Sequence, residues 1–296
     1  MKVQGSDCSI VIKTYHKEMD VPYSEETIRE KIALLQEEAA IEGDGTNRAI
    51  QKGGGVIGCI VTPLTIGTVP LLLCLVMGSA EKPIFVSETR DLYLYKFILS
   101  PMEDTDCFGL IQDRNNQKWI FNSCRIKGFE LRIIRDEAIK LKLDICGERS
   151  PEIYPYSDTP QCQTSEMSGT AIGRERFYGE NVKYRINGNE YEGIYGLTIV
   201  TKKEGGTRTE IWVKRVLEEG SDLPQSINEM VITARLLRDK YENRHFGTFR
   251  ITVKQLVLAA DETSINSVDT VIGPLRYYIR GTVTAEAFSS GGEIMP

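Results

Sequence analysis

The chain has 296 residues, 41% hydrophobic and 26% charged, with a formal net charge of −6. That length holds one large β domain or two of ordinary size, and the composition excludes a mainly disordered chain. Lys and Arg alternate with Asp and Glu instead of gathering into one block, so no tight hold on a phosphate backbone is expected.

Ser9 to Lys13 reads as an opening strand. Between Ser24 and Glu42, Ile28, Ile32, Leu35 and Ala39 share one helical face, with Ser24 as candidate N-cap and Glu25 and Glu26 at the positive end of the dipole. The spacing predicts a helix there. Gly43 to Gly55, with Asp44-Gly45-Thr46-Asn47 and three consecutive glycines, reads as a mobile or functional loop, and Val56 to Val61 as a strand. The most apolar run, Val69 to Met77, is less than half the ~20 residues a membrane span needs. Pro70 near its start and Gly78 after its end predict a short buried helix. Ile84 to Val86, Tyr93 to Leu99 and Lys118 to Phe121 are aromatic and β-branched, and predict strands.

A clear two-residue period follows. Phe129, Leu131 and Ile133 alternate with Glu130 and Arg132, the chain reverses at Arg135-Asp136-Glu137, and Ile139, Leu141, Leu143 and Ile145 alternate with Lys140, Lys142 and Asp144. The second half repeats this less cleanly: Leu197 and Ile199 alternate with Thr198 and Val200, Glu204-Gly205-Gly206 turns the chain, and Ile211 and Val213 alternate with Trp212 and Lys214. Such a period predicts hairpins with one buried and one wet face. Between the copies, Ser150 to Gly173, with Pro151, Pro155 and Pro160, predicts a boundary. Strands are expected near Lys183 to Ile186, Met230 to Leu237, Phe249 to Leu258 and Arg276 to Phe288, with Gly273-Pro274 as the turn before the last. In that last strand Tyr277, Ile279, Val283, Ala285 and Ala287 share one face. The expected fold class is mainly β.

The sequence gives little to catalysis. His16 and His245 are its two histidines, too few for a His-based metal site and poorly placed for a triad. Gly53-Gly54-Gly55 lacks the Lys-Ser or Lys-Thr of a phosphate loop, and Asp44 to Asn47 lacks the later ligands of a calcium loop. Glu103, Asp104 and Asp106, and the pair Asp261-Glu262, read as solvated turns before they read as carboxylate sites. Trp119 and Trp212 on strands suggest core or interface. Seven cysteines without a CxxC pair (Cys8, Cys59, Cys74, Cys107, Cys124, Cys146 and Cys162) read as free thiols of a reducing cytoplasm, and the N-terminus does not read as a signal peptide. No enzyme activity, cofactor or metal is expected.

The order of elements resembles the tail tube proteins of long-tailed (siphovirus-type) bacteriophages, in particular their larger, two-part type. The resemblance is carried by the polar loop Glu42 to Ile50, the strand Val56 to Pro63, the leucine-rich turn Leu71 to Ser79, the aromatic strand Tyr93 to Phe97, the hairpin entry Phe121 to Leu131 and its exit Asp144 to Glu148. It is close over residues 42 to 150 and looser beyond; the helical look of Ser24 to Glu42 departs from it.

The resemblance implies a β-sandwich, tail-tube-like fold with long β-hairpins and one or two short helices per domain. It places a tube domain in 1–155, a linker in 156–173 and a second β domain, a possible diverged copy, in 174–296. It further implies self-association into stacked rings around a DNA channel, six chains per ring or three if the domain is duplicated. Tape-measure and other tail proteins would be partners, DNA would pass without sequence-specific binding, and no membrane is involved. Location in the virion tail after assembly in the host cytoplasm follows. Gly43, Asp44, Gly45, Asn47, Arg48 and Lys52 are expected at a subunit interface, and Glu130, Arg132, Lys140, Lys142, Asp144, Thr198, Trp212 and Lys214 on inner-barrel hairpins. A tail terminator or baseplate ring protein of the same fold is the alternative.

Overall fold

The computed structural model describes residues 10–14, 18–36, 49–87, 92–101, 105–114, 117–148, 151–155, 175–216, 223–236, 247–261 and 271–290. Gly43 to Arg48, both histidines, Glu103, Asp104, Glu262, Cys8, Cys162 and the expected linker 156–173 lie outside them.

The chain is mainly β. It opens with β1 (Ile10–Lys13), β2 (Glu18–Asp20), β3 (Glu25–Glu26), β4 (Arg29–Gln36), β5 (Ala49–Pro63) and the helix α1 (Val69–Met77). There follow β6 (Gly78–Ala80), β7 (Ile84–Ser87), β8 (Leu92–Leu99), β9 (Phe108–Arg114), β10 (Gln117–Ile134), β11 (Lys140–Gly147) and β12 (Glu152–Pro155). A 3-10 turn (Gly179–Asn181) then leads into β13 (Val182–Ile186), β14 (Asn189–Tyr191), β15 (Ile194–Lys202) and β16 (Arg208–Val216). The last strands are β17 (Ser226–Arg235), β18 (Thr248–Asp261), β19 (Val271–Ile279) and β20 (Val283–Ser290).

Antiparallel pairing links β4, β5, β11, β10, β15, β16, β19, β18, β17, β13 and β14 in that order. The two hairpins β10–β11 and β15–β16 therefore lie side by side, joined by Gly128 to Ile134 of β10 against Lys202 to Gly196 of β15. The first half of β10 pairs instead with β9 and β12, and β9 passes on to β1 and β2. Strand β18 is shared in the same way: Phe249 to Val253 take β20, which leads to β8 with β6 and β7.

Strand β10 serves both regions because it is bulged twice, with register shifts between Phe121 and Cys124 and between Ile126 and Gly128. Each extra residue reverses the side-chain alternation. Buried positions run Phe121, then Cys124 and Ile126, then Phe129, Leu131 and Ile133. Ser123, at φ 59, takes up the first irregularity.

All nine residues of α1 are buried, against β6, β8, β10 and β20. Pro70 opens the helix, and Gly78, left-handed at φ 82, closes it with its N–H on the Cys74 carbonyl. Both the helix and its two end signals are as the sequence predicts. The strand faces follow the period of two, so Leu131 opposes Ile199 and Ile133 opposes Leu197 inside the core, each contributing about 1.5–3 kcal/mol by burial.

Several expectations fail, each because tertiary pairing overrides local pattern. Ser24 to Gln36 is not helical but forms β3 and β4 against β5, with Ile28 in the core. Ala49 to Gly55, expected as loop, is the first half of β5, and Lys52 lies on it. Glu152–Pro155, assigned to the boundary region, is a strand paired with Gln117 to Ile120. Gly273 and Pro274 sit within β19. The expected single strand Arg276 to Phe288 is two strands on β18, interrupted at 280–282, although its apolar face is buried as expected. Among the described residues the second half carries one short helix, the 3-10 turn.

The turn of the first hairpin is clamped from outside. The Phe177 N–H donates to the Leu64 carbonyl, the Ile139 N–H to the Phe177 carbonyl and the Gly179 N–H to the Glu137 carbonyl, at 3.0, 2.8 and 3.0 Å. By contrast, a Cβ on Gly205 or Gly206 at the second turn would meet nothing within 4 Å. A Cβ on Gly179 would lie 1.9 Å from the Ile134 carbonyl oxygen. Gly179→Ala is therefore expected to destabilise the chain by about 1–3 kcal/mol, read as a lower urea midpoint at unchanged m-value.

Candidate functional site: the polar face of the hairpin sheet

Residues in register on neighbouring strands share a face of the sheet. Across β5, β11, β10, β15, β16 and β19 one row reads Val61, Lys142, Glu130, Val200, Glu210 and Tyr278. The next reads Lys140, Arg132, Thr198, Trp212 and Arg276. On one side of these lie Asp144, Gly128, Lys202 and Arg208, and on the other Ile134, Gly196 and Lys214. Glu130, Arg132, Lys140, Lys142, Asp144, Thr198, Trp212 and Lys214, named from alternation alone, are thus brought together on one continuous, half-exposed surface.

The face is more basic than the chain that bears it. Strands β10, β11, β15, β16 and β19 place Arg132, Lys140, Lys142, Lys202, Arg208, Lys214 and Arg276 there against Glu130, Asp144 and Glu210, an excess of four positive charges on a chain of net −6. Sequence alternation concealed this, because the bases gather across strands and not along them.

One corner is rigid. The Arg276 guanidinium donates twice to the Glu210 carboxylate, Nε to Oε2 and Nη2 to Oε1, both at 2.9 Å. It also stacks between Trp212 and Tyr278, at 5.6 and 5.3 Å from the ring centroids, and Trp212 Nε1 donates to Glu210 Oε2 at 3.3 Å. The Arg276 hydrogen bonds hold the Glu210 carboxyl below its usual range against the opposing effect of burial. Beside this corner runs a groove of about 480 Å³ lined by Glu130, Arg132, Ile134, Thr198, Trp212 and Lys214. Among the described residues Arg132 and Lys214 have no ion pair, whereas Lys140 and Lys142 lie 3.6 and 3.7 Å from Glu137 and Asp144.

The described residues contain no cluster of three or more His, Cys, Asp or Glu placed to hold a metal ion, and no helix long and apolar enough to cross a membrane. Cys59, Cys74, Cys107, Cys124 and Cys146 are free thiols. Burial pushes Cys74 up to about 11 and Cys124 to about 12, which leaves both un-ionised and poor nucleophiles at neutral pH. Trp119 packs against the core, and Asp106 is exposed. Lys52 lies on the β4–β5 ribbon, away from the register rows of the polar face, and the other expected interface-loop residues fall outside the described residues.

Sequence reading missed Lys203. It follows the wet-face Lys202, yet its side chain is fully buried and Nζ has no hydrogen-bond partner. A Cβ on Gly78 would lie 3.5 Å from that Nζ, which puts the amine at the carbonyl end of α1, where the helix dipole favours a cation. Compared with known proteins, the chain matches no family model and no curated sequence.

Burial lowers the Lys203 pKa from 10.5 to about 8. The unfolded chain then holds this proton over a pH range in which the folded chain has released it. Stability therefore rises as pH goes from about 8 to about 10.5, and the full penalty applies below 8. Lys203→Met is expected to raise stability at pH 7 by about 2–3 kcal/mol and to flatten the rise of Tm between those pH values, measured by thermal unfolding across pH. Arg276→Ala is expected to cost about 1 kcal/mol and return the Glu210 carboxyl toward its usual range, measured by NMR titration. The stabilisation from Glu210 is present above its unfolded pKa and is lost as pH falls through the folded one.

Proposed function

We propose that this chain is a structural subunit of a bacteriophage tail tube, forming stacked rings around a channel for DNA and residing in the virion tail. The observation that carries the reading is the fusion of two hairpins, through β10 and β15, into one sheet with an apolar and a polar side. The apolar side is filled by the chain's own core, and the polar side is broad and charged, as a channel wall would be.

Two further features support assembly. Strand β7 pairs only with β8 among the described residues, and it exposes Ile84, Phe85 and Val86 in succession, with Ile98 exposed on β8. An apolar sheet edge of this kind invites another chain. Among the described residues the stretch of β5 from Ala49 to Gly55 pairs only with β4, making a two-stranded ribbon that extends past the β11 pairing, and such a ribbon is marginal in water without a neighbour.

The order β11, β10, β15, β16 sets the first strands of the two hairpins against each other, so a local two-fold axis relates them. A rotational repeat around a ring would set first strand against second. This arrangement favours one repeat per chain and six chains per ring over three chains with a duplicated domain.

Negative-stain microscopy and light scattering over rising concentration test the reading: rings that stack into tubes are expected, and a monomer at every concentration and salt would overturn it. A ring that never lengthens would favour a terminator or baseplate ring protein. Phe85→Glu is expected to block assembly while leaving Tm within a few degrees, since the side chain is exposed in the free chain.

A further inference from the structure

We infer that the pocket between Tyr184, Tyr191 and the tip of the first hairpin binds one pyranose ring of a sugar. The inference goes beyond the tube reading and does not rest on it. The pocket, of about 240 Å³, is lined by Arg135, Glu180, Tyr184, Tyr191, Glu192 and Ile194. Four elements meet there: the turn after β10, the 3-10 turn, the β13–β14 hairpin and the start of β15. Backbone hydrogen bonds fix them. The Arg135 N–H donates to the Tyr195 carbonyl at 3.0 Å and the Gly179 N–H to the Glu137 carbonyl, while Asn187 and Gly188, both at positive φ, make the tight turn of β13–β14. Asn187 Oδ1 accepts from the Asn228 and Glu229 N–H groups at 2.9 and 3.1 Å, which anchors that hairpin on β17. A site carried by such elements is preformed.

Tyr184 is the residue that points to a ligand. It is 6% exposed, yet its hydroxyl has no hydrogen-bond partner, and it lines the pocket. A buried phenol ordinarily finds a partner, so this one is held ready for an acceptor. Burial raises its pKa, with the Arg135 guanidinium acting in the opposite sense, and the phenol therefore stays a donor at neutral pH beside a cation. In the adjoining turn Asn181 Oδ1, between the lining residues Glu180 and Val182, is likewise buried without a partner.

The charges select a neutral ligand with many hydroxyls. Glu190 is drawn to Arg185 at 3.4 Å, which leaves Arg135, Lys183, Glu180 and Glu192 around the pocket without an ion pair among the described residues. Two positive and two negative groups cancel, so neither an anion nor a cation is favoured as a whole. All four are exposed, where water screens them too well to hold a zwitterion. A sugar ring suits the mixture: its hydroxyls accept from Tyr184 and Arg135 and donate to Glu180 and Glu192, and its C–H face lies on the Tyr191 ring. At about 240 Å³ the pocket lies below the range of drug-sized sites and holds one ring.

The test uses the intact chain at concentrations where it stays dispersed. Methyl glycosides of glucose, galactose, mannose and N-acetylglucosamine are added up to ~50 mM, since an open polar site binds in the millimolar range, and amide NMR shifts are followed. Shifts centred on Tyr184, Tyr191 and Glu192 are expected with at least one of these sugars. Tyr184→Phe is expected to weaken binding about threefold to tenfold and Arg135→Gln at least about tenfold. Lys118→Gln, on the first half of β10 between β9 and β12, leaves it unchanged. If Tyr184→Phe lowers Tm, Arg135→Gln, at an exposed side chain, carries the comparison. Tighter binding of maltose or lactose than of the single sugars assigns the pocket to the end of a glycan chain, and binding of single sugars alone assigns it to a free sugar; both support the site. No shift with any of these sugars, equal loss from Lys118→Gln, or tighter binding of glycine, acetate or methylammonium would overturn the inference. Assembly is scored separately by microscopy, so failure of this site leaves the tube reading standing, and failure of the tube reading leaves this site.

Discussion

The seam between β10 and β15 is the constraint on which the molecule depends. Seven consecutive residues of β10, Gly128 to Ile134, pair with Lys202 to Gly196, and they tie segments some 70 residues apart in sequence into one sheet. Without that seam the chain would offer two separate hairpins, each with a naked edge and a half-covered apolar face. With it, Leu131, Ile133, Leu197 and Ile199 form one layer over the core, and the charged side chains between them are forced onto a common plane. The tight approach at Gly128, where a Cβ would sit 2.8 Å from the Thr201 carbonyl oxygen, shows how little room the seam allows.

The bulges of β10 let one strand obey two neighbourhoods. Its first half belongs with β9 and β12 and its second with β11 and β15, and the buried side chains change parity at each irregularity so that the apolar side never turns outward. Strand β18 does the same, with Gln255 at φ 57 and a register shift between Leu258 and Ala260 where its partner changes from β20 to β19. Length in a strand here is a way of joining sheet regions, and it requires a local defect each time the surroundings change.

How legible this was in the sequence depended on whether a segment's neighbours were local. The helix Val69–Met77 announced itself through Pro70, Gly78 and unbroken hydrophobicity, and both hairpins through alternation around a polar turn. Ser24 to Gln36 misled because Ile28, Ile32 and Leu35 fit a helical stripe, while the partner that makes the segment a strand, β5, lies beyond a long connection. Gly53 to Gly55 suggested a loop for the same reason; in the sheet they are strand residues, and a Cβ on Gly55 would meet the Gly147 carbonyl oxygen at 2.5 Å. The members of the polar face were readable one strand at a time, but its net charge was not, because that is a property of register. Lys203 was hidden because a lysine beside a polar turn gives no sign of pointing inward.

The two hairpin tips have opposite tolerances for added chain. At Arg135 to Glu137 the segment around Phe177 and Gly179 is hydrogen-bonded across the turn, so an inserted peptide would have to displace a strand-like neighbour and unseat the end of β5. At Gly205 and Gly206 no atom of the described residues lies within 4 Å of an added Cβ. A foreign epitope grafted between those two glycines would hang clear of the body, which makes this turn the natural place to display cargo and the other the place to leave alone.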